Sequence, residues 1–193
     1  MPQHLLLSHI LKQTHRLNLN KRSHEFIPRS YARILKETPF RLKTFRNDML
    51  DLEPTLHFLA LQSDITTWHQ LNASRCYLDP KLLPLLSDIA IPLWLLPTYY
   101  SRDITRLHTA IRSDDLDDRL ILNTLAGYGR KLSVLVLERE VLEGCNLNLG
   151  DFVACLAKNL PLIQNLCLWH SGELVSYLSH DVVLLVYPYL SGN

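Results

Sequence analysis

Two segments near the C-terminus share one leucine spacing, and this internal repeat constrains the fold more than any other feature. Leu132, Leu135 and Leu137 follow the pattern L-x-x-L-x-L, and Ile163, Leu166 and Leu168 repeat it in the same register. The offset from Leu132 to Ile163 also superimposes four further apolar pairs: Leu116 on Leu147, Ile121 on Phe152, Leu122 on Val153 and Leu125 on Leu156. Each unit therefore predicts an apolar helix, a short turn and a strand. A period of roughly 30 residues is typical of stacked repeats, which usually form binding surfaces.

Weaker copies of the pattern extend the repeat toward the N-terminus. Ile104 and Leu107 precede Leu132 and Leu135 by one common and slightly shorter interval, with Thr109 where leucine is expected. Leu56, Leu59 and Leu61 give a further copy, so we predict a strand there. Between these copies we predict a short helix in DPKLLPLLSDI, with Asp79 as its N-cap, and an apolar strand over 91–97.

Helix ends support the same division into units. The aspartates of RSDDLDDRL suit a helix N-terminus, because the unpaired N–H groups there favour negative charge. Gly127 and Gly129 are placed to end that helix. Residues 1–46 have helical spacing with proline breaks. The sequence thus predicts an α/β fold: a helical segment over 1–46, followed over 47–193 by a short solenoid with parallel strands on one face and helices on the other.

Composition and charge give no reason to expect a nucleic-acid or membrane partner. The chain has 193 residues, 47% of them hydrophobic, and a net charge of +1, so overall charge gives no reason to expect nucleic acid. No apolar run approaches the roughly 18 residues of a membrane span. The four cysteines form no C-x-x-C pair, and we expect Cys155 and Cys167 to be small buried side chains in a reducing compartment, cytoplasmic or nuclear.

With this leucine pattern the chain resembles leucine-rich-repeat proteins over about residues 56–190. The opening MPQHLL, followed by Ile10-Leu11 and by Ile27–Tyr31, follows the outline of another motif, so the first 40 residues are similar to an F-box. Fungal-type F-box proteins join such a box to irregular repeats. The resemblance implies a non-enzymatic receptor of a Skp1–cullin–F-box ubiquitin ligase. It implies a face for a Skp1-like adaptor at six positions, which are Pro2, Leu5, Leu6, Ile10, Leu11 and Tyr31. The strand face would bind a target protein, and we expect Trp169 and His170 to take part because exposed aromatics are frequent binding anchors.

Chemistry-bearing motifs are few. No Walker loop, G-x-S-x-G, G-x-G-x-x-G or H-E-x-x-H sequence is present. Ser113 to Asp118 has carboxylates but lacks the spacing of a calcium loop. We therefore expect no catalytic residue, no metal and no cofactor.

Two alternatives remain at this stage. The acid-free opening, residues 1–24, contains Lys12, Arg16, Lys21 and Arg22 and also fits a mitochondrial presequence on a subunit of a larger assembly. The run Trp169–Glu173 has His170, Ser171 and Glu173 close together in sequence. A small α/β hydrolase-like enzyme would need such groups assembled in space, with His180 as another candidate.

Overall fold

A computed structural model describes residues 15–19, 41–48, 52–71, 79–111, 117–140, 147–171 and 183–188. The strands are β1 (Arg16–Leu19), β2 (Thr44–Asn47), β3 (Thr67–His69), β4 (Asp88–Ala90), β5 (Arg106–Ile111), β6 (Val134–Glu140), β7 (Asn165–Ser171) and β8 (Val183–Pro188). The helices are α1 (Leu52–Ala60), a 3₁₀ helix (Leu93–Tyr99), α2 (Asp118–Ala126) and α3 (Leu149–Asn159). The chain packs as two compact units, Met1–Asp88 and Ile89–Asn193. The predicted boundary between residues 46 and 47 falls within β2.

In the second unit, β5, β6, β7 and β8 pair in parallel in the order of the sequence. Leu135 of β6 lies opposite Leu107 of β5 and opposite Leu166 of β7. These pairings reproduce both offsets read from the sequence. The prediction of an α/β fold with parallel strands is therefore confirmed, and so is the strand predicted after Ile104.

Helices α2 and α3 are related by the same offset as β6 and β7. Asp117 caps α2 by accepting a hydrogen bond from the N–H of Arg119, and Asn148 caps α3 by accepting one from Asp151. The apolar side of each helix is buried at matching positions, which are Ile121 with Phe152 and Leu125 with Leu156. Gly127 is the C-cap of α2, as predicted, with helical backbone angles. Neither helix can shelter its apolar side alone, so the repeat is held together by packing.

In the first unit, β1, β2 and β3 also pair in parallel. Phe45 of β2 packs on Phe58 of α1 with ring centroids 5.3 Å apart, and Trp68 of β3 is fully buried. The buried side chain of Gln62 accepts a hydrogen bond from the N–H of Leu42 at 2.9 Å, which ties the segment after α1 to the start of β2. A buried backbone donor before β2 is thereby satisfied.

Strand entrances share one hydrogen-bond pattern, which we call the entrance ladder. The carbonyl just before a strand accepts N–H groups from two consecutive residues at the start of the next strand along the chain. The accepting carbonyls are those of His15, Lys43 and Thr66 in the first unit and those of Thr105 and Ser133 in the second. Three hydroxyls add a further hydrogen bond to the same carbonyls, those of Thr66, Ser87 and Ser133. The entrance ladder therefore marks equivalent positions at the starts of successive strands.

The prediction of a strand at Leu56–Leu61 is wrong, because this segment belongs to α1 and the turn that follows it. Thr55, Phe58 and Leu59 are buried at helical spacing, while Leu61 is 59% exposed. A pattern of leucines three apart suits a helix as well as a strand. Burial of the helical set decides the conformation here.

The helix predicted from Asp79 is also wrong, because residues 79–87 form turns. The Asp79 carboxylate accepts the N–H of Lys81 at 2.8 Å, but the chain turns away at Leu83, whose φ of 55° is left-handed. The residue before a proline is disfavoured in the helical region, and Pro84 follows directly. A helix cannot continue through that pair.

Two further element predictions fail. The apolar run over 91–97 is a 3₁₀ helix from Leu93, with the extended Pro92 (φ −59°, ψ 150°) before it. Proline fixes φ and lacks an N–H, so a strand pairing ends naturally there. The helical segment predicted over residues 1–46 is wrong at Arg16 and Leu17, which lie in β1. The rest of the divergent F-box prediction lies mostly outside the described residues.

Candidate functional site: the open face of the parallel strands

Strands β5 to β7 have one buried side and one half-exposed side. Leu107, Leu135 and Leu137 are at most 1% exposed. Alternate positions on the same strands are half-exposed or exposed, as the period of two requires. We call this second side the open face. Its described residues are the half-exposed His108, Ala110, Val134, Val136, Glu138 and Cys167 and the exposed Arg106 and Asn165.

The helices lie on the buried side because of the strand order. Each strand is followed in the sheet by the next strand in sequence, and α2 packs against α3. Connections between parallel strands are right-handed in nearly all proteins, so a sheet that grows in one direction places its helices on one face. In the described part of this unit, the open face therefore has no helix over it.

A histidine and a carboxylate pair on the open face. The Nε2 atom of His108 lies 2.7 Å from the Oε1 atom of Glu138. Their side chains are 28% and 38% exposed. His108 is in register with Val136, and Glu138 stands two positions further along β6, beside Ala110. The pair presents a hydrogen-bonding centre between two small or apolar neighbours, which suits recognition of a mixed polar and apolar surface.

The sequence contained a signal for this pair. The offset from Leu107 to Leu135 also sets His108 beside Val136, and Glu138 then falls on the same face at the next alternate position. The pair is absent from the predicted site, because the leucine spacing does not indicate which polar side chains meet across the strands. The described residues of the open face thus add His108, Val136 and Glu138 to the candidate site.

The predicted target-face residues lie in β7. Trp169 is in register with Glu138 on one side and Tyr187 on the other, whereas His170 is in register with Arg139 and Pro188. Consecutive strand positions alternate between faces. The register therefore assigns Trp169 to the rows of the open face and His170 to the alternate rows. Their side chains are outside the described residues, so a binding role for either stays a prediction.

The predicted adaptor face lies outside the described residues. This applies to all six positions, Pro2, Leu5, Leu6, Ile10, Leu11 and Tyr31. Ser171 lies in β7 with its side chain undescribed, and His180 and Glu173 are outside as well, so the hydrolase-like alternative is not tested by the geometry. Most of the basic opening segment is outside for the same reason.

Two tyrosines of the second unit, Tyr100 and Tyr128, link the 3₁₀ helix to α2 and the turn after it. The Tyr128 hydroxyl donates to the Leu96 carbonyl at 2.6 Å, and the Tyr100 hydroxyl donates to the Thr124 carbonyl at 2.9 Å. Their rings pack edge to face, 5.2 Å apart. Burial raises the pKa of Tyr128 strongly, and it raises the pKa of Tyr100 against the opposing effect of the Thr124 hydrogen bond. Both hydroxyls therefore act as neutral donors that hold the 3₁₀ helix and the turn after it to α2.

The aspartates at the start of α2 have structural partners. Asp117 is the N-cap, and the carboxylate of Asp118 is buried and accepts the N–H of Leu147 at 2.8 Å. Among the described residues, no group of three His, Cys, Asp or Glu side chains is arranged to hold a metal ion. Cys155 and Cys167 are half-exposed rather than buried as we predicted. Cys167 is half-exposed because its register position belongs to the open face.

None of the helices in the described part of the chain has the length and hydropathy of a bilayer span. Comparison of the chain with protein-family models, with curated proteins and with solved structures found no match.

Proposed function

We propose that this chain is a non-enzymatic protein-interaction module, built as a short leucine-rich-repeat-like solenoid whose open face binds a partner protein. The observation that carries the proposal is the pairing of parallel strands that are buried on one side and half-exposed on the other. Purely parallel sheets are normally covered on both faces. A face that the described helices leave uncovered is a candidate for covering by another molecule.

The chemistry of the open face supports a protein partner. Val136 and Cys167 supply apolar area next to the His108–Glu138 pair, and the described groups carry no concentration of one charge. Protein interfaces combine an apolar centre with polar groups in this way. Polyanions such as nucleic acid select strongly basic surfaces instead.

A more specific version of the proposal is a substrate receptor of a Skp1–cullin–F-box ubiquitin ligase. Residues 1–40 would bind a Skp1-like adaptor through the predicted adaptor face, and the open face, extended by Trp169 at its register position, would bind the target. His170 is the other residue predicted for the target face. What supports this version is the resemblance of the opening residues to an F-box and the repeat offset that the strand register reproduces.

Photo-crosslinking tests the open face. A photoreactive amino acid at Val136 is compared with the same amino acid at Leu120, which is 56% exposed on α2. We expect a discrete protein adduct from position 136 and none from position 120, and we expect Glu138→Ala to reduce that adduct. Equal adducts at both positions, or none at position 136, would contradict the proposal.

Co-purification with a Skp1-like protein tests the ligase version separately. Leu6→Asp and Ile10→Asp are expected to abolish co-purification, while Val136→Lys leaves it unchanged. If the chain does not bind the adaptor present in excess, the ligase version is wrong. Binding of a partner by the open face is judged separately, by photo-crosslinking.

A further inference from the structure

The first unit has an exposed basic surface that the proposed function does not use. Parallel pairing brings Arg46 of β2 between Asn18 of β1 and His69 of β3, and Arg16 is in register with Thr44. Arg16, Asn18 and Arg46 are exposed and His69 is half-exposed. We call Arg16, Asn18, Arg46 and His69 the basic face.

The two arginines of the basic face are not neutralised within the described residues. Neither has a carboxylate within ion-pair distance there, whereas the nearby Arg41 lies 3.9 Å from Asp64. His69 has a carboxylate neighbour, since its Nε2 atom is 3.5 Å from Oδ1 of Asp88. Asp48, two residues beyond Arg46, is the other described acid on this side, and it is exposed.

The spacing of the arginines suits an extended chain. Neighbouring strands are about 4.8 Å apart and two residues along a strand span about 6.6 Å, so Cα atoms of Arg16 and Arg46 are roughly 8 Å apart on the diagonal. Alternate residues of an extended peptide are separated by about 6.6–7 Å. Flexible arginine side chains cover the difference, and a guanidinium binds a carboxylate with two parallel hydrogen bonds.

We propose that the basic face binds an acidic, extended segment of a partner protein, with Arg16 and Arg46 each binding one of two carboxylates at alternate positions and Asn18 donating a side-chain amide hydrogen bond. Single-stranded nucleic acid is the less favoured ligand. Its bases stack on exposed aromatic rings, but Phe45 and Trp68, the aromatics of β2 and β3, are fully buried. The proposal concerns a different unit from the open face and does not depend on it.

Fluorescence anisotropy with the full chain tests the proposal. The probe is a labelled peptide of four Glu-Ser repeats at low salt, with a peptide of four Lys-Ser repeats and a twelve-residue oligothymidylate as comparisons. We expect Arg46→Gln and Arg16→Gln each to weaken binding of the Glu-Ser peptide by roughly tenfold, as expected for loss of a charge-assisted hydrogen-bonded contact. Asp48→Asn should tighten binding, and added salt should weaken it.

The matched control is Lys81→Gln, which removes an exposed positive charge from a turn of the same unit. Equal losses for Lys81→Gln and Arg46→Gln would overturn the proposal, because they would indicate a response to net charge alone. Tighter binding of the oligothymidylate than of the Glu-Ser peptide would also overturn it. This test reads residues of β1 and β2 and the crosslinking test reads residues of β6, so failure here and failure of the open-face proposal are distinguishable. Circular dichroism of each variant confirms that it is folded.

Discussion

At the scale of single residues, Thr109 stands out because its neighbours in the sheet are leucines. It is in register with Leu137 of β6, which in turn is in register with Leu168 of β7. Thr109 is fully buried, and its hydroxyl has no hydrogen-bond partner among the described residues. An unsatisfied buried hydroxyl costs about 1–3 kcal/mol, so this position weakens the repeat.

We expect Thr109→Val to raise the free energy of unfolding by roughly 1 kcal/mol, because the substitution keeps the shape and removes the unsatisfied hydroxyl. Urea unfolding measures the change. Thr109→Ser is the control, since it keeps the hydroxyl and loses a buried methyl group, and it should destabilise the protein. A valine variant less stable than the natural protein would mean that the hydroxyl has a partner.

The buried hydroxyl of Tyr128 should make the free energy of unfolding depend on pH in the alkaline range. Burial raises the pKa of its hydroxyl above the ordinary value near 10, so the unfolded chain loses this proton before the folded chain does. Its stabilising contribution is complete below pH 10 and is lost as the pH rises further, by at most about 1.4 kcal/mol per pH unit.

Tyr128→Phe should therefore be less stable than the natural protein at pH 7, by about 1 kcal/mol for the lost hydrogen bond to Leu96. The difference should shrink between pH 10 and pH 11, because phenylalanine does not ionise. Urea unfolding at pH 7, 10 and 11 measures both effects. Tyr100 is present in both proteins, so a constant difference across this range would contradict the assignment to Tyr128.

At the scale of elements, Gly129 explains how the turn after α2 meets the end of α3. A Cβ atom added at Gly129 would lie 2.4 Å from the backbone oxygen of Asn159, which cannot move aside without shifting α3. The sequence indicated this glycine only as a helix end. Its role in close packing depends on the repeat offset, which brings the end of one helical unit against the next.

Gly129→Ala is expected to destabilise the protein by roughly 1–3 kcal/mol through this overlap. The control is Asn123→Ala on the exposed side of α2, which should change stability by less than about 0.5 kcal/mol. Thermal and urea unfolding of the two variants provide the comparison. If Gly129→Ala were as stable as the natural protein, the prediction would be wrong, because α3 would then move aside without loss of stability.

Leucine spacing predicted some elements correctly and others wrongly for one physical reason. Where several positions of two copies share one offset, as for Leu107 with Leu135 and for Leu135 with Leu166, each copy constrains the other and the strand register follows. Leu56 to Leu61 had no such partner at a fixed offset. Leucines three apart fit either conformation, and the burial of Thr55 and Phe58, which decides for a helix, is a tertiary property.

At the scale of the whole molecule, the sequence predicted a parallel α/β fold and a binding face, but it did not identify the His108–Glu138 pair on that face. His108 and Glu138 are 30 residues apart, and their contact follows only once strand register is known. The basic face also depends on β1, in a segment predicted as helix. Charged residues carry little periodic signal of their own, because their positions depend on the strand order that the apolar residues establish.

If the proposed solenoid holds, a substitution in one repeat should lower stability mainly in that repeat and its neighbours. Leu137→Ala, at a fully buried position of β6, is expected to cost about 2–5 kcal/mol. In hydrogen exchange we expect the largest loss of amide protection in β6, a smaller loss in β5 and β7, and the least in β2 and β3. A uniform loss over all strands would instead indicate one cooperative core, against the solenoid proposal.

The entrance ladder has a consequence for how such a chain can change. The interval between accepting carbonyls varies, since Lys43 and Thr66 are 23 positions apart in the first unit whereas Thr105 and Ser133 are 28 apart in the second. Each carbonyl holds only the segment that comes next, whatever the length of chain between them. Insertions in the turns of one interval therefore leave the ladder contacts of the other intervals in place, which makes these turns suitable places for grafting foreign peptides.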